Sequence, residues 1–176
     1  MAKLRKMLGK ADSPYIISLM RAIETQSKET IAKWCLDYCE ENILPIFEKN
    51  CPDDGRPRLA IIASRDWFEG RRKLPEVKNI ILNECHAAAR ELDENPAAQA
   101  AARACGQASA CFHTPTHSLG LAFYGTAAIA YDRVGLNEKP EVYDAIAAEE
   151  CAKMEKALRD MSVENVPKPA KINWGC

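Results

Sequence analysis

Pro96-Ala97-Ala98-Gln99-Ala100-Ala101-Ala102-Arg103-Ala104-Cys105-Gly106 opens a stretch that continues through His113-Thr114-Pro115-Thr116-His117 to Val134. It holds almost no charge between Arg103 and Asp132. Ala, Gly, Ser and Cys at helical spacing let neighbouring backbones approach closely, so 96–134 reads as the central helix, or helix pair, of an all-α domain. Proline at 115 removes the hydrogen bond to the carbonyl of Cys111. The helix therefore either kinks there or starts a second time with Thr114 as its cap. Two of the three histidines flank that proline, which makes this the first place to look for chemistry.

Working outward, Asn95-Pro96 is a cap followed by a first-turn proline. Pro75 opens the preceding helix, with Val77, Ile81, Cys85, Ala88 and Leu92 as its apolar stripe. Before it, Arg56-Pro57 begins a helix expected to bury Leu59, Ile62, Ala63 and Trp67 and to stop at a left-handed Gly70. Ser27 caps a helix whose Ile31, Trp34, Cys35, Tyr38 and Cys39 share one face, and Pro45 should kink or end it. Ser13-Pro14 caps and starts a short apolar helix ending near Thr25. Downstream, Leu119, Phe123, Ala127 and Tyr131 carry the apolar face to Gly135, and Gly120 and Gly125 mark close helix contacts. Pro140 leads into the last helix, with Val142, Ile146, Met154, Leu158 and Met161 inside. No useful strand alternation and no fixed-period repeat occurs. The expectation is an all-α, single-domain bundle of about seven helices over 1–176, around a central Ala-rich helix pair, with 162–176 as a tail anchored by Trp174.

A chain of 176 residues is long enough to bury about 70% of the surface that it exposes unfolded. A net charge of -1 gives no electrostatic reason to expect a nucleic-acid partner, and Arg71-Arg72-Lys73 reads as a solvated loop. No segment approaches the ~18 to 20 apolar residues of a membrane span, and the basic N-terminus lacks the apolar region of a secretory signal. A cytoplasmic location follows, where thiols stay reduced. Of the 8 cysteines none forms a Cys-x-x-Cys pair. Cys35, Cys85, Cys105, Cys111 and Cys151 lie in helical patterns as small hydrophobes, whereas Cys51 and Cys176 are expected to be exposed and oxidisable.

Three constellations could carry chemistry. His113 and His117 are four apart, the spacing at which two imidazoles on one helix face share a divalent metal. Two ligands are not a site, however. Cys105, Cys111, His86 or an acidic residue would have to complete it, and no Glu follows the first His as a catalytic base. The competing reading is that the histidines hydrogen-bond carbonyls freed by the proline and bind no metal. A Cys/His pair, Cys111 or Cys105 with His86 or His113, needs an open electropositive setting that the Ala-rich surroundings do not offer. Arg58, Arg65 and Trp67 on the third helix could grip an anion, or pair with Asp66, Glu69 or a neighbouring helix. No cofactor motif is present.

Read together, Leu44-Pro45-Ile46-Phe47-Glu48, Pro52-Asp53-Asp54-Gly55-Arg56-Pro57-Arg58-Leu59-Ala60-Ile61 and Arg65-Asp66-Trp67-Phe68-Glu69-Gly70 resemble a bacterial and archaeal family of immunity proteins, the immunity-five-like group. His86-Ala87-Ala88-Ala89-Arg90 and Ala101-Ala102-Arg103-Ala104-Cys105-Gly106-Gln107-Ala108, with His113, His117 and Gly120, resemble its Ala-rich core. The resemblance covers roughly residues 28–134. It departs at Gln107, where members often carry His, so a 107, 113 and 117 metal triad would be incomplete. The resemblance implies a cytoplasmic, non-enzymatic helical protein that binds and neutralises a cognate toxin. The partner would be gripped by a patch of ~800 Å² of unspecified position, with the Cys51–Arg58 turn and the Arg71–Leu74 loop as candidates. The alternatives are a metal-binding helical enzyme or sensor centred on His113 and His117, and an oligomerising module.

Overall fold

The computed structural model describes residues 4–175; Cys176 lies outside them. Among the described residues the chain is helical with no strand. The helices are α1 (Pro14–Glu24), α2 (Lys28–Asn42), α3 (Leu44–Asn50), α4 (Arg56–Phe68), α5 (Leu74–Ile80), α6 (His86–Arg90), α7 (Pro96–Ala110), α8 (His117–Val134) and α9 (Pro140–Asp160). A π-helical turn, Ile81–Cys85, joins α5 to α6 without interruption. α2 and α3 form one rod jointed at Ile43, because Pro45 in the first turn of α3 has no N–H to donate back to α2. Counted as rods, the described residues form the seven members that the sequence predicts.

α7 and α8 are its centre. Gln107 meets Gly120 and Arg103 meets Tyr124, the pairing of an antiparallel hairpin. Every residue of α7 except Pro96, Arg103 and Gln107 is buried. α2, α3, α4 and α6 pack around α7, while α9 covers α8 and α1. Gly125 of α8 lets Ile43 and Met154 close in, and a Cβ there would lie 3.2 Å from each.

Two of the three expected side-chain caps form. The Ser27 hydroxyl accepts from Thr30 N–H at 3.1 Å, and the Asn95 amide oxygen accepts from Ala98 N–H at 3.1 Å. Ser13 stands at the start of α1 but its hydroxyl accepts from Lys10 N–H at 3.1 Å, so it stabilises the preceding turn and does not cap the helix. α4 ends as expected at Gly70, with φ 72. There Gly70 N–H reaches Trp67 O at 3.0 Å and Arg71 N–H reaches Asp66 O at 2.8 Å, the paired bonds of a Schellman stop.

The buried face of α4 differs from the expectation. Ala63 is buried, but Leu59 and Ile62 are exposed and Trp67 is half-buried. Ala60, Ile61 and Ser64 face inward instead. The reason is the identity of the neighbour: α7 presents alanines, so the small side of α4 gives the closer approach. The contact is fixed by the Ser64 hydroxyl, which donates to Ser109 O at 2.7 Å.

Buried polar side chains are largely matched, with Arg103 Nε and the Ser109 hydroxyl as exceptions among the described residues. The Glu150 carboxylate, 5% exposed, takes hydrogen bonds from Arg133 at 2.6 Å and Lys153 at 2.8 Å. Gln26 docks the tail: its side chain exchanges hydrogen bonds with the Val163 backbone and its carbonyl accepts from Ala170 N–H at 2.8 Å. Trp174 Nε1–H donates to Glu24 at 2.6 Å.

Among the described residues six cysteines are buried, and four of them pair across the α2–α7 contact. Cys111 Sγ lies 3.3 Å from Cys35 Sγ, and Cys39 Sγ 3.5 Å from Cys105 Sγ. Burial, then the Cys111 contact, pushes the Cys35 thiol well above its ordinary value. A thiol so placed lacks the thiolate needed for attack. Cys51, expected at the surface, is partly covered at the end of α3, and burial raises its pKa too. In a Cys176→Ser variant, an aromatic disulfide reagent should titrate about one thiol, Cys51, in the native protein and the remainder only on unfolding. Fast reaction of a buried pair would show that the α2–α7 contact opens readily.

Candidate functional site

Pro115 breaks the helix. Residues 111–116 form successive turns, in which Thr114 N–H bonds Ala110 O at 3.1 Å and His117 N–H bonds Thr114 O at 3.0 Å. α8 starts at His117, and Thr116 occupies the cap position with no side-chain bond. Thr114 therefore does not cap α8; its hydroxyl lies 2.6 Å from His113 Nδ1. His113 sits on the turn and His117 on the first helical residue, so the two rings do not share one helix face. Their centroids are nevertheless only 6.1 Å apart, set edge to face.

Between them and the neighbouring rod lies a pocket of about 250 Å³, lined by Lys78, Ile81, Leu82, His86, Ala110, His113 and His117. Glycines on both central helices create the room for its polar walls. A Cβ on Gly106 would lie 2.5 Å from His86 Cε1 and 2.8 Å from its Nε2. A Cβ on Gly120 would lie 2.5 Å from Gln107 Cγ and 2.6 Å from its Cδ. The π turn brings His86 to this spot: its N–H bonds Ile81 O, five residues back, which adds one residue to the turn. Such turns recur at functional positions. Gln107 Oε1 lies 2.7 Å from His117 Nδ1, and an oxygen there assigns the proton to Nδ1 and leaves Nε2 free.

Burial pushes all three imidazoles below their ordinary value. Arg103 and Arg90 depress His86 further, and Lys78 adds to the effect on His113. No carboxylate lines the pocket. Among the described residues, no group of three or more His, Cys, Asp or Glu is placed to hold a metal ion. Cys105 and Cys111 point away from it, toward α2, and pair with Cys39 and Cys35.

Of the residues singled out from sequence, Trp67, His113 and His117 come together and the two arginines do not. Trp67 stacks on Phe112 at 4.5 Å and Phe112 meets His113 at 4.9 Å, while Phe68 adjoins Trp67 at 5.1 Å. An aromatic row thus leads from the end of α4 to the pocket. Arg58 instead grips Glu48 of α3 at 2.5 and 2.9 Å, and Arg65 grips Glu40 at 2.6 Å and Asp37 at 3.0 Å of α2. Phe112, Gly106 and the placement of His86 escaped sequence reading, since only their meeting in space marks them.

Gly106→Ala should destabilise by roughly 1–3 kcal/mol, because the His86 ring must leave its seat. His86→Ala in the same chain should recover most of that loss, and a double-mutant cycle by thermal denaturation measures the coupling. The depressed histidines also give a pH sign. An unfolded chain binds protons that the folded chain refuses, so their contribution is fully present above the unfolded pKa near ~6.5 and falls away as pH drops toward the lower folded values. Denaturant midpoints between about pH 5 and 7 should show this slope, and a His86→Gln, His113→Gln, His117→Gln variant should flatten it.

The model of the family described as Imm-5 like putative immunity protein matches residues 21–157 of this chain. No curated protein and no solved structure matches it. The match begins within α1 and ends within α9, so it takes in the central hairpin, the π turn and the whole pocket. It extends beyond the 28–134 span of the sequence resemblance at both ends. The chain belongs to the Imm-5-like immunity protein family.

Proposed function

We propose that this protein binds a cognate protein toxin and neutralises it by covering the toxin's active surface, with no catalysis of its own. Family membership is the observation that carries the reading. The surface supports it in one place. Phe68 is 39% exposed at the outer end of the aromatic row, and Leu82 is 58% exposed at the rim of the histidine pocket. Leu59 and Ile62 are exposed as well, on a different side of α4 from Phe68. Exposed apolar surface marks interaction sites, and aromatic residues are enriched in protein interfaces.

The two loops suggested by sequence are less suited. Arg56 in the first is held by Asp54 and Glu91, and Arg71 and Arg72 in the second are held by Asp66 and Glu76. Their charges are already spent within the chain. The reading is tested by calorimetry against toxins encoded beside the gene, with co-expression as the cellular readout. Wild-type protein should bind one of them and restore growth. Phe68→Asp with Leu82→Asp should weaken binding at least about tenfold, some 1.4 kcal/mol, without lowering the melting temperature. If no adjacent toxin binds, the neutralisation reading falls. If the double variant binds as wild type does, the toxin sits elsewhere.

A further inference from the structure

We propose that the pocket enclosed by the π turn, the end of α7 and the start of α8 is a binding site for a carboxylate carried on a short aliphatic stem. His86, His113, His117 and Lys78 would receive the carboxylate, and Ile81, Leu82 and Ala110 would receive the stem.

Charge around the pocket has one sign. From α5 comes Lys78, from α6 His86 with Arg90 nearby, from α7 Arg103 and the uncharged Gln107, and from the turn and α8 His113 and His117. No Asp or Glu is among the lining residues to neutralise them. Burial disfavours a positive charge on these imidazoles, and the neighbouring cations add to this at His86 and His113. A bound carboxylate reverses that balance. His117 is prepared for the change: Nδ1–H donates to Gln107 Oε1 in either state, so protonation at Nε2 adds a donor without disturbing the seat. Gly120 keeps the space into which the Gln107 side chain folds to make that bond.

The other side of the pocket is apolar. Ile81 is buried, Ala110 is buried, and Leu82 stands exposed at the rim. A volume of about 250 Å³ is several times the ~30 Å³ share of one water, enough for a carboxylate and a few methylenes. A divalent metal is less well matched, since the donors do not converge as a set of three. Inorganic phosphate would leave the apolar wall without a partner.

Metal-free full-length protein is titrated with butyrate, with its neutral counterpart butyramide and with inorganic phosphate, while the three imidazole Cε1–H signals are followed by NMR. Butyrate should shift the His117 signal and at least one other saturably near pH 6. Its affinity should weaken by up to about tenfold per pH unit above the imidazole range, as binding that takes up one proton requires. Butyramide should leave the signals in place, and His117→Gln should remove the pH dependence. Lys78→Met should weaken butyrate about threefold or more; Lys78 is exposed, so this variant tests the site even if the histidine variant fails to fold. The proposal is overturned if butyrate does not saturate, if butyramide matches it, if affinity is flat with pH, or if phosphate binds more tightly. None of this needs a toxin, so it stands or falls separately from the neutralisation reading. Where a toxin is bound, displacement by butyrate would assign the carboxylate to a toxin side chain. Simultaneous binding would assign it to a free acid, and both results uphold the site.

Discussion

The short distance between the α7 and α8 backbones is the constraint to which the remaining helices are fitted. Alanine, glycine and serine hold that distance, and α4, which packs on α7, offers small residues in turn. α4 does so with Ala60, Ala63 and Ser64. Bulk is supplied by the α2–α3 rod, whose Trp34, Ile43, Leu44 and Phe47 close over the hairpin. Trp34 also ties that rod to α9, through its Nε1–H to Met154 O at 3.0 Å. The buried thiols belong to the same solution: between α2 and the end of α7, Cys35, Cys39, Cys105 and Cys111 meet in pairs as small hydrophobes.

The same economy of side-chain volume makes the pocket possible. Missing Cβ atoms on the two central helices admit polar side chains at close range, the His86 ring at Gly106 and the Gln107 side chain at Gly120. Pro115 contributes by ending α7 early, so that His113 lies on a turn and His117 opens the next helix. Four residues of separation, a helical spacing in the sequence, is here the span of a break.

Much of the fold is legible locally. Ser27, Asn95-Pro96 and Gly70 do what their chemistry implies, and the uncharged stretch after Arg103 is the centre of the molecule. What could not be read depends on partners distant in the chain. α4 has apolar residues on two sides, Leu59 and Ile62 on one and Ala60 and Ile61 on the other. Hydrophobicity alone favours the larger set; the alanine surface of α7 favours the smaller. Trp67 and the histidines were legible as candidates because rare, bulky side chains stand out in small surroundings. Arg58 and Arg65 looked similar, and only the position of Glu40 and Glu48 on the facing rod reveals that they fasten helices together.

The five residues of Ile81–Cys85 carry a consequence for related chains. Successive residues of an α-helix advance by about 100°, so the additional residue in this turn sets the azimuth of everything that follows it. Deleting one residue there would give a regular rod that still contains a histidine, now aimed roughly a quarter-turn away from the gap at Gly106. Among relatives, the spacing from Pro75 to His86 is thus a better marker of a preserved hollow than the histidine itself.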